Sequence, residues 1–292
     1  MKDLTRGSEA GLIISFSIPM LLGNLLQQLY NMVDSIIVGN WVGKQALAAV
    51  GASFPIIFLL LALFMGLSMG SNILIAQYQG AKDTGRVKRA IETTYLYTFW
   101  GSLILMSVGF FGAGPIMDLL QSPPEVRPLA VLYLRVFSLG MLPFLGFNTI
   151  SGILRGLGDA HTPLYMLLLS TILNIILDLL FVIAFGWGVA GVAFATVLSQ
   201  GVSLIACIIY LNRKHELLRV KFTALRFDRS IFILSVRIGI PSGVQQAMVA
   251  LGLATMTGIV NTFGTDAIAG FAAAARIESI ASLPAMTIGM AI

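Results

Sequence analysis

Apolar residues run along this chain in long blocks separated by short polar breaks. Eight such blocks fall at roughly 13–38, 47–76, 92–114, 129–153, 163–186, 188–211, 237–262 and 267–292. About 20 apolar residues suffice to cross a hydrocarbon core as a helix, so each block predicts one membrane span. The breaks hold Gly, Pro, Asn or charge, as in "GAKDTGRVKRA" and "RGLGDAHTP", which is the chemistry of turns. One break is long, the polar run from Arg213 to Arg229. The pattern predicts an all-α membrane protein, a polytopic helical bundle. A complete six-helix lobe is expected over 1–212, a basic cytoplasmic linker over 213–236, and spans 7 and 8 of a second lobe over 237–292.

The second lobe restarts the first. Ile18-Pro19 recurs as Ile240-Pro241, and Asn40, Gly43, Ala46 and Ala48 match Asn261, Gly264, Ala267 and Ala269 at a constant offset of 221. Met65 and Met69 match Met286 and Met290 at the same offset. An even number of spans separates the copies, so both run in the same direction. Parallel repeats related by an axis along the membrane normal are a transporter architecture. The second copy stops at Ile292 in mid-helix, which reads as a C-terminally truncated chain lacking four spans. Without those partners, spans 7 and 8 are expected to form a pair apart, with few contacts to the first six.

Composition agrees with a membrane protein. The chain is 57% hydrophobic and 11% charged, with mean hydropathy +0.91, whereas a soluble domain is nearer about a quarter charged. The net charge of +5 is not a nucleic-acid footprint, because the basic residues lie between spans. With the N-terminus inside, 14 of the 18 Lys and Arg fall on the cytoplasmic side, which sets the expected orientation. Cys207 is the only cysteine, which excludes an internal disulfide and a thiolate metal cluster. No Gly-rich phosphate loop with a Lys is present, so the chain is not read as an ATPase.

Against this background, polar residues inside spans stand out. Asn24, Gln27 or Gln28, Asn31 and Asp34 recur at three- and four-residue spacing on span 1. Span 5 carries Ser170, Asn174 and Asp178, and span 6 carries Thr196, Gln200 and Ser203. At about 1.5 Å rise per residue, Asp34, Asp178 and Thr196 all fall roughly 8–12 Å below the outer surface. Intramembrane carboxylates are costly and mark function. Two carboxylates, an amide and a hydroxyl at one depth suit either a small hard cation such as Na⁺ or a shared proton, since a desolvated carboxylate exchanges a proton near neutral pH. Pro19, in the inner half of span 1, favours a kink and is a candidate hinge. Arg155 and Asp159, in "RGLGD", are expected to clamp the turn between spans 4 and 5. His161 and His215 have no third ligand nearby, so no metal site is expected beyond possible Na⁺ at the coupling site.

The segments "IPMLLGNLLQQLYNMVDSIIVGNWVG", "GILRGLGDAHTP" and "LNIILDLLFV", with the repeat, resemble the multidrug and toxic compound extrusion (MATE) family, in its DinF-like prokaryotic branch. The resemblance spans the chain and is most specific in the first six spans. It implies twelve helices in two bundles that open alternately to each side of the plasma (inner) membrane. It implies antiport, with cationic or amphipathic small molecules exported against inward H⁺ or Na⁺. It places a first-bundle coupling site on Asp34, Asn174, Asp178 and Thr196, and a bending point on Pro19. Gln27, Gln28, Asn31, Gln200, Gln245, Gln246 and Met256 are the cavity candidates. The acidic residue that the NorM-like branch carries on helix 7 is absent here, where Gln245 and Gln246 stand. No enzymatic activity, no cofactor other than the coupling ion and no nucleic acid are expected. The bilayer and the cargo are the expected partners of a protein that is monomeric at full length. Two other readings compete. A lipid-linked oligosaccharide flippase of the same superfamily usually gathers cationic residues in its cavity. A non-transporting membrane scaffold has no need of two acids at matching depth.

Overall fold

Lipid offers the backbone no hydrogen bonds, so the apolar blocks become helices that satisfy their own. The computed structural model describes residues 8–120, 123–214, 225–261 and 281–291, with 274 and 278 singly between them. Its helices are α1 (Glu9–Ile37), α2 (Lys44–Gly80), α3 (Thr84–Leu119), α4 (Arg127–Leu139), α5 (Met141–Gly156), α6 (His161–Asp178), α7 (Gly188–Lys214) and α8 (Arg229–Asn261). A further short helix covers Ala281–Ala291, inside the eighth expected span, most of which lies outside the described residues. Among the described residues, five helices are long and apolar enough to cross a membrane, and six if α4 and α5 form one bent span.

The ends of these helices follow local chemistry. Gly43 separates α1 from α2 at φ 109°, a conformation that L side chains rarely adopt. Asp83 caps α3 by accepting a hydrogen bond from the Arg86 backbone N–H at 3.0 Å. Asp228 does the same for α8, accepting from Ser230 N at 2.9 Å and Ile231 N at 3.2 Å. That cap starts α8 at Arg229, eight residues before the expected start of the second lobe. The fourth span is not one helix, as expected, but two that meet at 52°. Pro143 explains the break, since it has no N–H to give the Leu139 carbonyl and its ring clashes there. Gly140 fills the corner, where a Cβ would come within 2.4 Å of Val197 Cγ2.

The expected Arg155–Asp159 clamp is made by Asp159 without an ion pair. Asp159 Oδ1 accepts from the backbone of His161 at 3.1 Å and Thr162 at 3.0 Å, and Oδ2 accepts from the Thr162 hydroxyl at 2.7 Å. No Arg155–Asp159 ion pair occurs among the described residues. Asp159 therefore organises the first turn of α6, and Asp159→Ala should lower stability by about 1 kcal/mol. Thermal melting in detergent reads this, with Asp159→Asn keeping most of the wild-type value.

The helices of the first six spans pack as one bundle, with α7 in contact with α4, α5 and α6, and α1 laid along α6. Two apolar clusters fill it. One gathers Ile37, Ala49, Met117, Leu134 and Val192, and the other gathers Leu74, Ile91, Ile153, Cys207 and Leu211. Polar side chains such as Ser53, Ser102 and Asn174 are fully enclosed, while Phe111 and Leu119 are 76% and 83% exposed. Polar groups inside and large apolar groups outside suit a multi-pass protein in lipid.

Span 7 does not stand apart. Its helix, α8, lies along α2 in the most extensive helix pair among the described residues. Glycines bring the two backbones together: a Cβ on Gly70 would meet Ser235 O at 2.2 Å, and one on Gly66 would meet Gly239 O at 2.7 Å. Small residues allow such close approach in membranes. Ser71 donates to Ser235 Oγ at 3.0 Å, and Tyr97 of α3 donates to Ser71 at 2.9 Å. The expectation of few contacts between span 7 and the first bundle is thus overturned. On the other side, Asn24 of α1 donates to Thr287 Oγ1 at 2.9 Å. Span 2 meets span 7 and span 1 meets span 8, a pairing that maps onto itself when the two repeats are exchanged.

Candidate functional site

Three helices bring the intramembrane polar residues to one place. Asp178, in the last turn of α6, is fully buried, and so is Asn174 one turn before it. Asp34 on α1 is half-buried, with its Oδ1 enclosed. Asp34 and Asp178 lie near enough for each to act electrostatically on the other. From α7, Thr196 uses its own proton on the Val192 carbonyl at 3.1 Å and accepts from the Tyr30 hydroxyl at 3.0 Å. That bond ties α1 to α7 one turn below Asp34.

The site is rich in acceptors and poor in donors. Asp34 Oδ1, both carboxylate oxygens of Asp178 and both polar atoms of Asn174 are buried without a hydrogen-bond partner among the described residues. Buried polar atoms are rarely left so, because each costs about 1–3 kcal/mol. Two adjacent carboxylates repel unless a proton is shared between them or a cation lies against them. Among the described residues no third His, Cys, Asp or Glu joins them in a metal-holding group. The donor set is two carboxylates, an amide and a hydroxyl, all hard oxygen or amide groups, which suits a monovalent hard cation or a proton.

Each carboxylate also sits next to a π-helical turn. Val38–Val42 closes α1, with Gly43 N bonding Val38 O at 3.0 Å, and Leu179–Ala184 closes α6, with Phe185 N bonding Leu180 O at 3.0 Å. Such widened turns recur at functional positions. Within the second turn, Phe181 stacks on Trp187 with centroids 4.9 Å apart, between the end of α6 and the start of α7.

Other residues singled out in the sequence lie elsewhere. Gln27, Gln28 and Asn31 are exposed on α1, and Gln200 is buried on α7 rather than on an open face. Gln245 and Met256 are exposed on α8, Gln246 is half-buried there, and none of the three joins the carboxylates. Pro19 is inside α1, about 22 Å below Asp34 by helical rise. It lines a separate cavity of about 390 Å³ with Asp159, His161, Tyr165, Met166 and Tyr210. Sequence reasoning missed Tyr30 and Tyr133. Tyr30 was findable, since it lies four residues before Asp34 on the polar stripe. Tyr133 of α4 is buried near both carboxylates, but nothing in its apolar segment pointed to it.

The chain as a whole is similar to known proteins. The chain is 34% identical over 291 residues to "Probable multidrug resistance protein YpnP" of Bacillus subtilis (strain 168), covering 99% of this chain and 65% of that relative. It superposes on a solved multidrug resistance MATE family transporter of the MOP superfamily in an outward-facing conformation, with TM-score 0.91 and 29% identity, over 99% of this chain and 64% of that one. It also superposes on a MOP superfamily transporter from Pyrococcus furiosus Vc1 (DSM3638), with TM-score 0.90 and 29% identity, over 99% and 64% of the two chains. The chain thus spans a little under two thirds of the length of the proteins it resembles. The MatE family model matches residues 19–180, more than half of the chain, and the chain therefore belongs to the MatE family.

Proposed function

We propose that this chain carries the ion-coupling lobe of a secondary active exporter, in which Asp34, Asn174, Asp178 and Thr196 bind H⁺ or Na⁺ and cationic or amphipathic small molecules leave in exchange. One observation carries the reading: the enclosed Oδ1 of Asp34, both oxygens of the buried Asp178 and the Asn174 amide lie at one site with no hydrogen-bond partner among the described residues, more acceptors than the protein supplies with donors. Ion binding neutralises the pair and lets α1 and α6 close together. Ion release restores negative charge, which favours a cationic cargo. Ion and cargo therefore prefer different charge states of one bundle, which is the thermodynamic content of antiport. The multidrug resistance relatives support the cargo class. The basic breaks favour an N-terminus on the cytoplasmic side, and on this reading the membrane is the plasma membrane and the bilayer and the cargo are the partners.

The test is efflux of ethidium from liposomes holding the full chain, first under an imposed proton gradient and then under an imposed sodium gradient. Efflux driven by at least one gradient and absent without either is expected. Equal efflux with and without gradients would refute coupling.

A further inference from the structure

The buried polar residues do not stop at the carboxylate pair. On the adjacent helices α6 and α7 they fall, by chain position, at three matching levels, or rungs. Asp178 and Thr196 form the first, Asn174 and Gln200 the second, and Ser170 and Ser203 the third. Successive rungs are three or four residues apart on both helices, roughly 5–6 Å by helical rise. Ser170 is 2% exposed, Gln200 5%, and Asn174 and Ser203 0%. Yet Ser170 Oγ, both polar atoms of Asn174, Gln200 Oε1 and Ser203 Oγ lack hydrogen-bond partners among the described residues. A structural seam between two apolar helices has no use for such a row, since each unsatisfied group weakens it.

The row points at an opening. One turn beyond Ser170, Met166 lines the 390 Å³ cavity at the end of the bundle that holds the start of α1 and the α5–α6 turn. Tyr210 of α7, seven residues beyond Ser203, lines it too. Met166 also packs on the apolar cluster of Cys207 and Leu211. It therefore lies between the last rung and the cavity, and an unbranched thioether side chain is readily displaced. At the cavity mouth, Asp159 is already engaged by the first turn of α6.

We propose that the α6–α7 seam is the route by which the coupling ion passes between the Asp34–Asp178 pair and the cavity at the His161 end, with Ser170, Asn174, Gln200 and Ser203 solvating it and Met166 closing the way. This rests on the ion-coupling reading of the carboxylate pair. A small cation or proton crossing apolar helices needs polar groups at each step, and the rungs supply them without opening the lobe to cargo.

The experiment uses the full chain in liposomes, with pyranine for proton flux, a sodium-sensitive dye for sodium flux and ethidium as cargo. The double variant Ser170→Ala/Ser203→Ala should lower ion flux and ethidium turnover by about tenfold, equivalent to about 1.4 kcal/mol. The ion dependence of ethidium binding at equilibrium should stay at the wild-type value. Met166→Ala should raise ion flux. Wild-type flux in the double variant, or in Met166→Ala, would overturn the route. The coupling site is judged separately, because Asp34→Asn keeping the ion dependence of ethidium binding would overturn that reading alone.

Discussion

Asp34→Asn is expected to abolish ion-coupled export while leaving the protein folded in the membrane. The amide keeps the size of the side chain and removes its charge. It also brings an N–H that can donate to Asp178, as a protonated carboxyl would. The variant is therefore held in the equivalent of the ion-bound state, and the charge cycle that links ion to cargo stops. Coupling free energies between sites are about 1–3 kcal/mol, or about 5–150-fold, and the loss of gradient-driven ethidium efflux should fall in or above that range. Asp178→Asn should act in the same direction, because either amide satisfies the opposite carboxylate. Melting temperatures at or above wild type are expected, since a buried repulsion is relieved. An Asp34→Asn protein that still responds to both gradients would show that the coupling residue lies elsewhere.

Gly70→Val is expected to have the largest structural effect of any single substitution on the surface between α2 and α8. A Cβ at that position falls 2.2 Å from the Ser235 carbonyl and 2.9 Å from the Gly239 nitrogen, both backbone atoms. Neither can move without displacing its helix. Overpacking of this kind costs about 1–3 kcal/mol or more, and separating the helices also breaks the Ser71–Ser235 hydrogen bond. Gly51→Ala on the same helix is the control, because nothing lies within 4 Å of its added methyl. A clear drop in melting temperature for Gly70→Val with none for Gly51→Ala is the expected result. Equal melting would show that the two helices part easily.

How much of this was legible in the sequence depended on what lipid forces the chain to display. A helix in a bilayer must announce itself with a long apolar run, so the spans and the intramembrane Asp34 and Asp178 could be read directly. Their common depth followed from counting residues along helices of fixed rise. The bend at Gly140 was missed because Pro143 stood in an apolar run long enough to hide a break. The π-helical turns were missed because Val38–Val42 and Leu179–Ala184 have no special composition. The α2–α8 contact was missed for a different reason. Gly66, Gly70 and Gly239 read as neutral filler in a single helix, and their meaning appears only when the opposing backbone is in place. Tyr133 shows the same limit, since a phenol among apolar residues gives no sign of which acid it will meet.

The Ser71–Ser235 contact also bears on how the protein is made. The two residues are 164 positions apart, and at about 5–20 residues per second a ribosome needs roughly 10–30 s to deliver the second after the first. During that interval the glycine face of α2 has no partner. It tolerates lipid because a helix satisfies its own backbone and glycine adds no polar side chain. Ser71 is the exception, and its oxygen is satisfied early: Tyr97, only 26 residues later, donates to it from α3. The interface is thus built with a local bond made first and the distant helix, which takes the Ser71 proton, added to it afterwards.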